Sequence, residues 1–286
     1  MISNLLAGLL GYPLGHTVSP VLHRAAAAQF NMDLNYFPFE VEKHNLKDAL
    51  KGMQVLGFSG CNVTIPYKEH ILEFVTEQSD VVKFLGAANT LTFRGNMIFA
   101  DNTDWEGFLR SWDESGLGSI EGKSAVILGA GGAADAVFYA LVRRGIKETY
   151  IFNRDKERGE KLAEKFAGSY PNLQCKAYAL SYKSGLSSIL KTADILINTT
   201  PSGMHPAPEN MPVSIPSTIN ESLVYYDLIY NPVKTKLAQE LEKRGIKTAC
   251  GLGMLVHQAA LAFKRWFGME PNPAPMFEKA MEILGK

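Results

Sequence analysis

Ser124-Ala125-Val126-Ile127-Leu128-Gly129-Ala130-Gly131-Gly132-Ala133-Ala134 decides how this chain folds. An apolar strand-like run passes directly into a glycine turn. Apolar residues then continue as a helix up to Arg143-Arg144-Gly145. A bare G-x-G-x-x-A pattern says little. A strand before it and a helix after it, within one βαβ-length unit, make it a dinucleotide-binding turn. Gly129 permits the tight turn, and Gly131 lets the backbone approach a pyrophosphate. Ala134 is small enough for the helix to pack closely on the strand. The unpaired N–H groups of the helix start, with its positive dipole end, suit the phosphates.

Strand-like segments recur after this unit at Thr149–Phe152, Asp194–Asn198 and Val224–Leu228, and the chain is helical from about Gly251. Before it, Leu5–Leu10, Asn35–Val41 and Cys61–Ile65 read as strands. Ser19-Pro20 opens a helix through Phe30, with Ser19 as N-cap and Pro20 in the first helical position. Thr90–Phe93 and Met97–Ala100 form a hairpin around Arg94-Gly95-Asn96, and a helix follows from Trp105 to Asp113. Alternating strands and helices predict an α/β protein with parallel strands. The character of the sequence changes at Glu121-Gly122-Lys123. The expected architecture has two domains, with a Rossmann-type dinucleotide-binding domain inserted into a split α/β substrate domain. Residues 1–106 form the first segment of the substrate domain, 107–250 the inserted domain, and 251–286 the returning C-terminal helices.

Composition narrows the function. The 286 residues carry 29 Lys plus Arg and 29 Asp plus Glu, so no net field draws nucleic acid or an anionic membrane. Cys61, Cys175 and Cys250 are far apart and show no metal or CxxC spacing; a reducing cytoplasm and no metal are expected. Leu5–Leu10 is short and has no basic residues before it, which suits a first strand and not a signal peptide. No apolar stretch has the length of a membrane span.

A second informative run is Asn62-Val63-Thr64-Ile65-Pro66-Tyr67-Lys68. Strand side chains alternate, so Asn62 and Thr64 point to one face. Pro66 has no N–H for a ladder, and Lys68 follows at once. An amide, a hydroxyl and an ammonium thus converge at a strand end, where α/β proteins keep ligands. Cofactor type is written in Asn153-Arg154-Asp155-Lys156-Glu157-Arg158, at the end of the strand after the glycine turn. Arginine there binds a 2′-phosphate and an acid binds a 2′-hydroxyl. With Arg154 and Arg158 against Asp155, NADP leads and NAD remains an alternative. Asp135 suits the helix dipole but would repel a phosphate it faced.

These residues also carry a family likeness. The blocks Gly11–Pro20, Asn62–Lys68, Gly86-Ala87-Ala88-Asn89-Thr90, Asn102-Thr103-Asp104, the glycine turn, Asn198–Met204, Asp227–Tyr230 and Gly251–Gln258 occur in the order of the shikimate dehydrogenase family, which the chain resembles over nearly its full length. The resemblance implies reversible conversion of 3-dehydroshikimate to shikimate. It implies Lys68 and Asp104 as the catalytic pair, and Thr17, Ser19, Asn62, Thr64, Asn89, Tyr230 and Gln258 at the substrate. It implies Asp80, Gly129, Ala130, Gly131, Gly132, Ala133, Asn153, Arg154, Asp155, Arg158, Leu228 and Gly251 at the dinucleotide. His16 and His257 adjoin the blocks and are given no chemistry. A small-molecule substrate is the expected partner, with a homodimer left open. Three departures stand out: Thr17 replaces the usual serine, Asp155 an often-found threonine, and Asp135 a basic or neutral residue. They keep open a quinate/shikimate dehydrogenase using NAD or both cofactors. A ligand sensor of the same fold, without turnover, is the reading from another class.

Overall fold

An unbroken apolar run suits a strand covered on both faces. Leu5–Gly11 (β1) is such a strand, lying parallel to β2 (Leu34–Glu40) on one side and β3 (Gly60–Val63) on the other. With β4 (Glu77–Gln78), β5 (Thr90–Arg94) and β6 (Met97–Asp101) they form a sheet of order β2-β1-β3-β5-β6-β4. This sheet is mixed, not purely parallel: β5 runs antiparallel to both β3 and β6. The reason is the tight turn at Gly95-Asn96, with Arg94 opposite Met97, which is far too short for a parallel crossover. Helices α1 (Ser19–Ala28), α2 (Leu46–Val55) and α3 (Asp80–Leu85) accompany this sheet, and α4 (Asp104–Ser115) follows it in sequence.

The computed structural model describes residues 5–15 and 17–285, so His16 lies outside the described residues. The chain divides into two compact units. One comprises the chain up to Gly107 together with Leu255 onward, and the other is Phe108–Met254. The second unit contains β7 (Ser124–Leu128), β8 (Glu148–Asn153), β9 (Gln174–Ala179), β10 (Ile195–Asn198), β11 (Val224–Asp227) and β12 (Lys247–Cys250), all parallel, in the order β12-β11-β10-β7-β8-β9. That is the doubly wound dinucleotide-binding order, with its switch point between β7 and β10. Its helices are α5 (Gly132–Arg143), α6 (Lys156–Ser169), α7 (Lys183–Ile189) and α8 (Lys236–Glu242). Strands β9 and β12 are half-exposed edge strands that mix polar and apolar residues, which is why their pattern is weak in the sequence.

Leu10, Leu50, Phe58, Val63, Ile71 and Leu91 form the core of the first unit beside its sheet. Val126, Leu128, Phe152, Leu196, Tyr225 and Leu237 do the same in the second. The last helices are α9 (Leu252–Phe267) and α10 (Pro273–Leu284), and α10 packs on α1. Among the described residues no helix is long and apolar enough to cross a membrane. Ser19 is not the N-cap of α1. Val18 holds that position without a side-chain cap bond, and the Ser19 N–H donates instead to Thr17 Oγ1 at 3.2 Å.

Helix α9 crosses the sheet at Trp266, whose indole N–H donates to the Leu91 carbonyl at 2.9 Å. Gly60 makes this approach possible: a Cβ there would lie 2.2 Å from the indole nitrogen and 2.4 Å from Leu91 O. Gly60→Ala is therefore expected to destabilise the protein by about 2–3 kcal/mol. The check is the urea unfolding midpoint; an unshifted midpoint would show that the indole can move aside.

Candidate active site

The chain leaves the first sheet after Val63 and turns through Thr64-Ile65-Pro66-Tyr67 to Lys68. Tyr67 secures the turn: its N–H donates to Thr64 O at 2.9 Å and its hydroxyl to Val41 O at 2.6 Å. Lys68 Nζ then meets Asp104 Oδ2 at 2.7 Å, with the two side chains only 19% and 8% exposed. Burying opposite charges is costly unless hydrogen bonds complete the pair. Asn89 supplies one, donating from Nδ2 to Asp104 Oδ1 at 2.8 Å. Among the described residues Nζ has no other acceptor, so two of its three N–H bonds remain for a ligand oxygen.

The support around this pair is dense. Asn89 Oδ1 accepts from the Thr103 N–H at 2.8 Å and the Thr90 hydroxyl at 2.9 Å. Asn89 Nδ2 also reaches Gln258 Oε1 at 3.4 Å. The Gln258 carbonyl accepts from the Thr103 hydroxyl at 3.1 Å. The run Asp101–Asp104 braces itself: Asp101 Oδ1 takes the Asn102 N–H at 2.8 Å, and Asn102 Oδ1 takes the Asp104 N–H at 3.0 Å. Asp101 and the caps within this run were missed as site elements from sequence. The available signal was four successive polar residues between an apolar strand and a helix.

Asn62 occupies a different place from the one expected. The Asn89 carbonyl can only accept, so Asn62 Nδ2 faces it, at 3.2 Å, and faces Thr90 Oγ1 at the same distance. Asn62 Oδ1 accepts from the Tyr36 hydroxyl at 2.9 Å and from His23 Nε2 at 3.1 Å. Both N–H bonds and both lone pairs are filled, which leaves nothing for a substrate. Asn62 ties β3 to β5, β2 and α1 behind the site. This arrangement makes His23 the neutral Nε2–H tautomer. Its Nδ1 is buried without a partner, and burial lowers its pKa to about 3 against the opposing bond to Asn62. Burial also pushes the Tyr36 hydroxyl well above its ordinary value, so it stays a donor.

The other expected substrate residues are distributed as follows. The Thr17 hydroxyl donates to Ser19 Oγ at 3.2 Å, at the start of α1. Thr64 is half-buried just past β3, with its methyl against Gly11. Gln258 Nε2 donates to Leu255 O at 2.8 Å and retains a second N–H. Tyr230 belongs to the second unit, and burial raises its pKa. Asp80 does not join the Lys68 cluster; it is fully exposed at the start of α3 and pairs with Lys83 at 3.1 Å.

In the second unit, Gly129 has φ +106°, and a Cβ on it would lie 2.5 Å from Thr199 Oγ1. A Cβ at Gly131 or Gly132 would meet nothing within 4 Å, so the backbone there is open. Gly131 caps α5 without a side-chain bond, and Ala130 and Ala133 flank it with small side chains. The first N–H groups of a long helix are thus presented uncovered, as a pyrophosphate needs. Asn153 Nδ2 donates to Asp155 O at 2.8 Å, and the Asp155 carboxylate N-caps α6 by accepting the Arg158 N–H at 3.3 Å. Arg154 and Arg158 are exposed and have no carboxylate partner among the described residues. Asp135 is paired with Lys165 at 2.6 Å, which offsets its charge near the phosphate turn. Gly251 lies against Leu228, where a Cβ would come 2.0 Å from the carbonyl oxygen. The loop after β11 is held by buried Asp227, which accepts from Tyr225, Thr235, Asn198 and the Ile229 N–H. These residues fit a dinucleotide with one further phosphate, because guanidinium groups bind phosphate bidentately. Among the described residues no cluster of three His, Cys, Asp or Glu is placed to hold a metal ion.

The chain is similar to known proteins in sequence and fold. Family profiles match in order: the shikimate dehydrogenase substrate binding domain over residues 9–91, shikimate / quinate 5-dehydrogenase over 113–240, and the shikimate 5'-dehydrogenase C-terminal domain over 251–281. The chain is 40% identical over 277 residues to a shikimate dehydrogenase (NADP(+)) of Methanothermobacter thermautotrophicus, covering 97% of this chain and 95% of that one. It is similar to a crystal structure of a shikimate dehydrogenase in complex with NADP+, with TM-score 0.91, 35% identity and coverage of 100% and 98%. It is likewise similar to the Thermus thermophilus enzyme in complex with NADP(H) and shikimate, with TM-score 0.86, 32% identity and coverage of 97% and 99%.

The buried neutral His23 has a consequence for acid stability. Between pH 6.5 and about 3, the unfolded chain binds a proton that the folded site refuses. Stability should therefore fall as pH drops through that window, by up to about 1.4 kcal/mol per pH unit from this group. His23→Gln keeps a donor toward Asn62 but cannot titrate. Its unfolding free energy should fall less steeply than wild type below pH 6.5, and equal slopes would refute a neutral buried imidazole.

Proposed function

The chain belongs to the shikimate dehydrogenase family, and we propose that it interconverts 3-dehydroshikimate and shikimate with NADP, in the biosynthesis of aromatic amino acids. The observation that carries this reading is the Lys68–Asp104 pair at 2.7 Å with two lysine N–H bonds still available. As the ketone is reduced, negative charge develops on its oxygen. The Lys68 ammonium donates a hydrogen bond to that oxygen, stabilises the charge and delivers the proton. Asp104 holds Lys68 in place through the 2.7 Å contact, and accepts from the hydroxyl next to the reacting carbon. In the oxidation direction the proton passes back from the substrate hydroxyl to Lys68 Nζ.

The dinucleotide, when bound, supplies or accepts the hydride. Gly129, Ala130, Gly131, Gly132 and Ala133 would hold its pyrophosphate, and Arg154 and Arg158 its additional phosphate. The first unit would carry the substrate and the second the cofactor. Ser19 suits the substrate carboxylate, since its hydroxyl accepts from Thr17 and keeps its own proton to donate, and Thr17 would hold it in that role. Thr64 and Gln258 suit the ring hydroxyls, and Asn89 orients Asp104. The cysteines Cys61, Cys175 and Cys250 are all free, which suits the reducing cytoplasm.

Lys68→Ala is expected to lower kcat about a thousandfold with little change in KM; a mutant with near wild-type kcat would sink the assignment. Cofactor choice is tested by initial rates with shikimate or quinate and NADP+ or NAD+. Shikimate with NADP+ should dominate. The Arg154→Ser, Arg158→Ser double variant should raise KM for NADP+ about tenfold or more while leaving NAD+ turnover nearly unchanged. Equal losses with both cofactors would remove the two arginines from phosphate recognition.

A further inference from the structure

Arg265 lies two helical turns beyond Gln258 on α9, a spacing that puts both on one face of the helix. That face holds the Asp101-Asn102-Thr103-Asp104 run at two points. The Gln258 carbonyl accepts from the Thr103 hydroxyl at 3.1 Å, and Arg265 Nε donates to Asp101 Oδ2 at 2.7 Å. The other oxygen of Asp101 accepts from Ser79 Oγ and from the Asn102 N–H, both at 2.8 Å. Asn102 Oδ1 in turn accepts the Asp104 N–H at 3.0 Å. The guanidinium also lies 3.5 Å from Glu106 in the first turn of α4. The Asp101 side chain is only 9% exposed, and Arg265 is its cationic partner among the described residues.

We propose that Arg265 is a positioning residue for the reaction: acting through Asp101 and Asn102, it sets the main chain at Asp104 and so the contact of that carboxylate with Lys68. The inference rests on the catalytic reading of Lys68 and Asp104. Without the guanidinium, a nearly buried carboxylate keeps neutral donors but loses its counter-charge, and an uncompensated buried charge reorganises or takes up a proton. Either change disturbs the acceptor that fixes the Asn102 N–H. A displacement of a few tenths of an ångström passed on to Asp104 is small for binding, but proton transfer depends steeply on geometry.

The test is steady-state kinetics of the full chain, with thermal unfolding as a control for folding. Arg265→Met should lower kcat about tenfold with both KM values within about threefold of wild type. Arg265→Lys retains a cation within reach of Asp101 and should recover most of the lost kcat. Asp101→Asn keeps shape and an acceptor but removes the charge, and should reproduce the Arg265→Met loss. The double variant should be no worse than either single one, as for two members of one linkage. A folded Arg265→Met or Asp101→Asn protein with wild-type kcat overturns the proposal. So does a lysine variant no better than methionine. If Arg265→Met fails to fold, Asp101→Asn decides alone. Wild-type kcat in Lys68→Ala would instead overturn the catalytic reading beneath it, so the two failures are separable.

Discussion

Two opposite charges 2.7 Å apart and mostly withdrawn from water impose the organisation of the first unit. Neither Lys68 nor Asp104 is stable there unless the other is present and the remaining carboxylate oxygen is hydrogen-bonded. Asn89 meets that requirement, which in turn demands that its own amide be oriented by Thr90 and Thr103. Behind it, Asn62 joins strands and helix through a filled amide, closed off by Tyr36 and neutral His23. Each polar group is fixed by the next, and the sequence ends at a lysine with two donors that meet no acceptor among the described residues. That unfinished valence is what the proposed reaction would use.

The second unit meets an anionic ligand in another way. It leaves backbone N–H groups open at the start of α5 and engages nearby acids elsewhere. Asp135 is neutralised by Lys165, and Asp155 is turned to capping α6. Both were departures that raised the question of NAD use. In the fold neither carboxylate is free of a protein partner, while Arg154 and Arg158 remain available at the end of β8. An acid at a sensitive position matters only through the partner it finds.

The Rossmann-type character of the second unit was legible because β7 and the glycine turn carry both a hydrophobic run and a conformational demand. Gly129 shows the demand directly, with its positive φ and no room for a Cβ beside Thr199. Strands β9 and β12 were not legible, since edge strands with half-exposed polar residues look like loops. The antiparallel pairing of β5 with β6 follows from the hairpin that the sequence shows, set within an otherwise parallel reading. Local signals also misled at single residues. Ser19 before Pro20 has the composition of an N-cap, yet the hydroxyl that takes the first N–H is that of Thr17.

Sequence alone determined the α/β class and the glycine turn after β7, because these depend on near neighbours in the chain. It could not assign Asn62 to the scaffold, place Asp101 under Arg265, or distinguish an engaged acid from a free one. Those outcomes depend on which polar groups from distant segments become partners once water is excluded. Arg265 and Asp101 are 164 positions apart and 2.7 Å apart in the fold. Only tertiary structure brings such groups within hydrogen-bonding distance, and it is there that burial makes each partner obligatory.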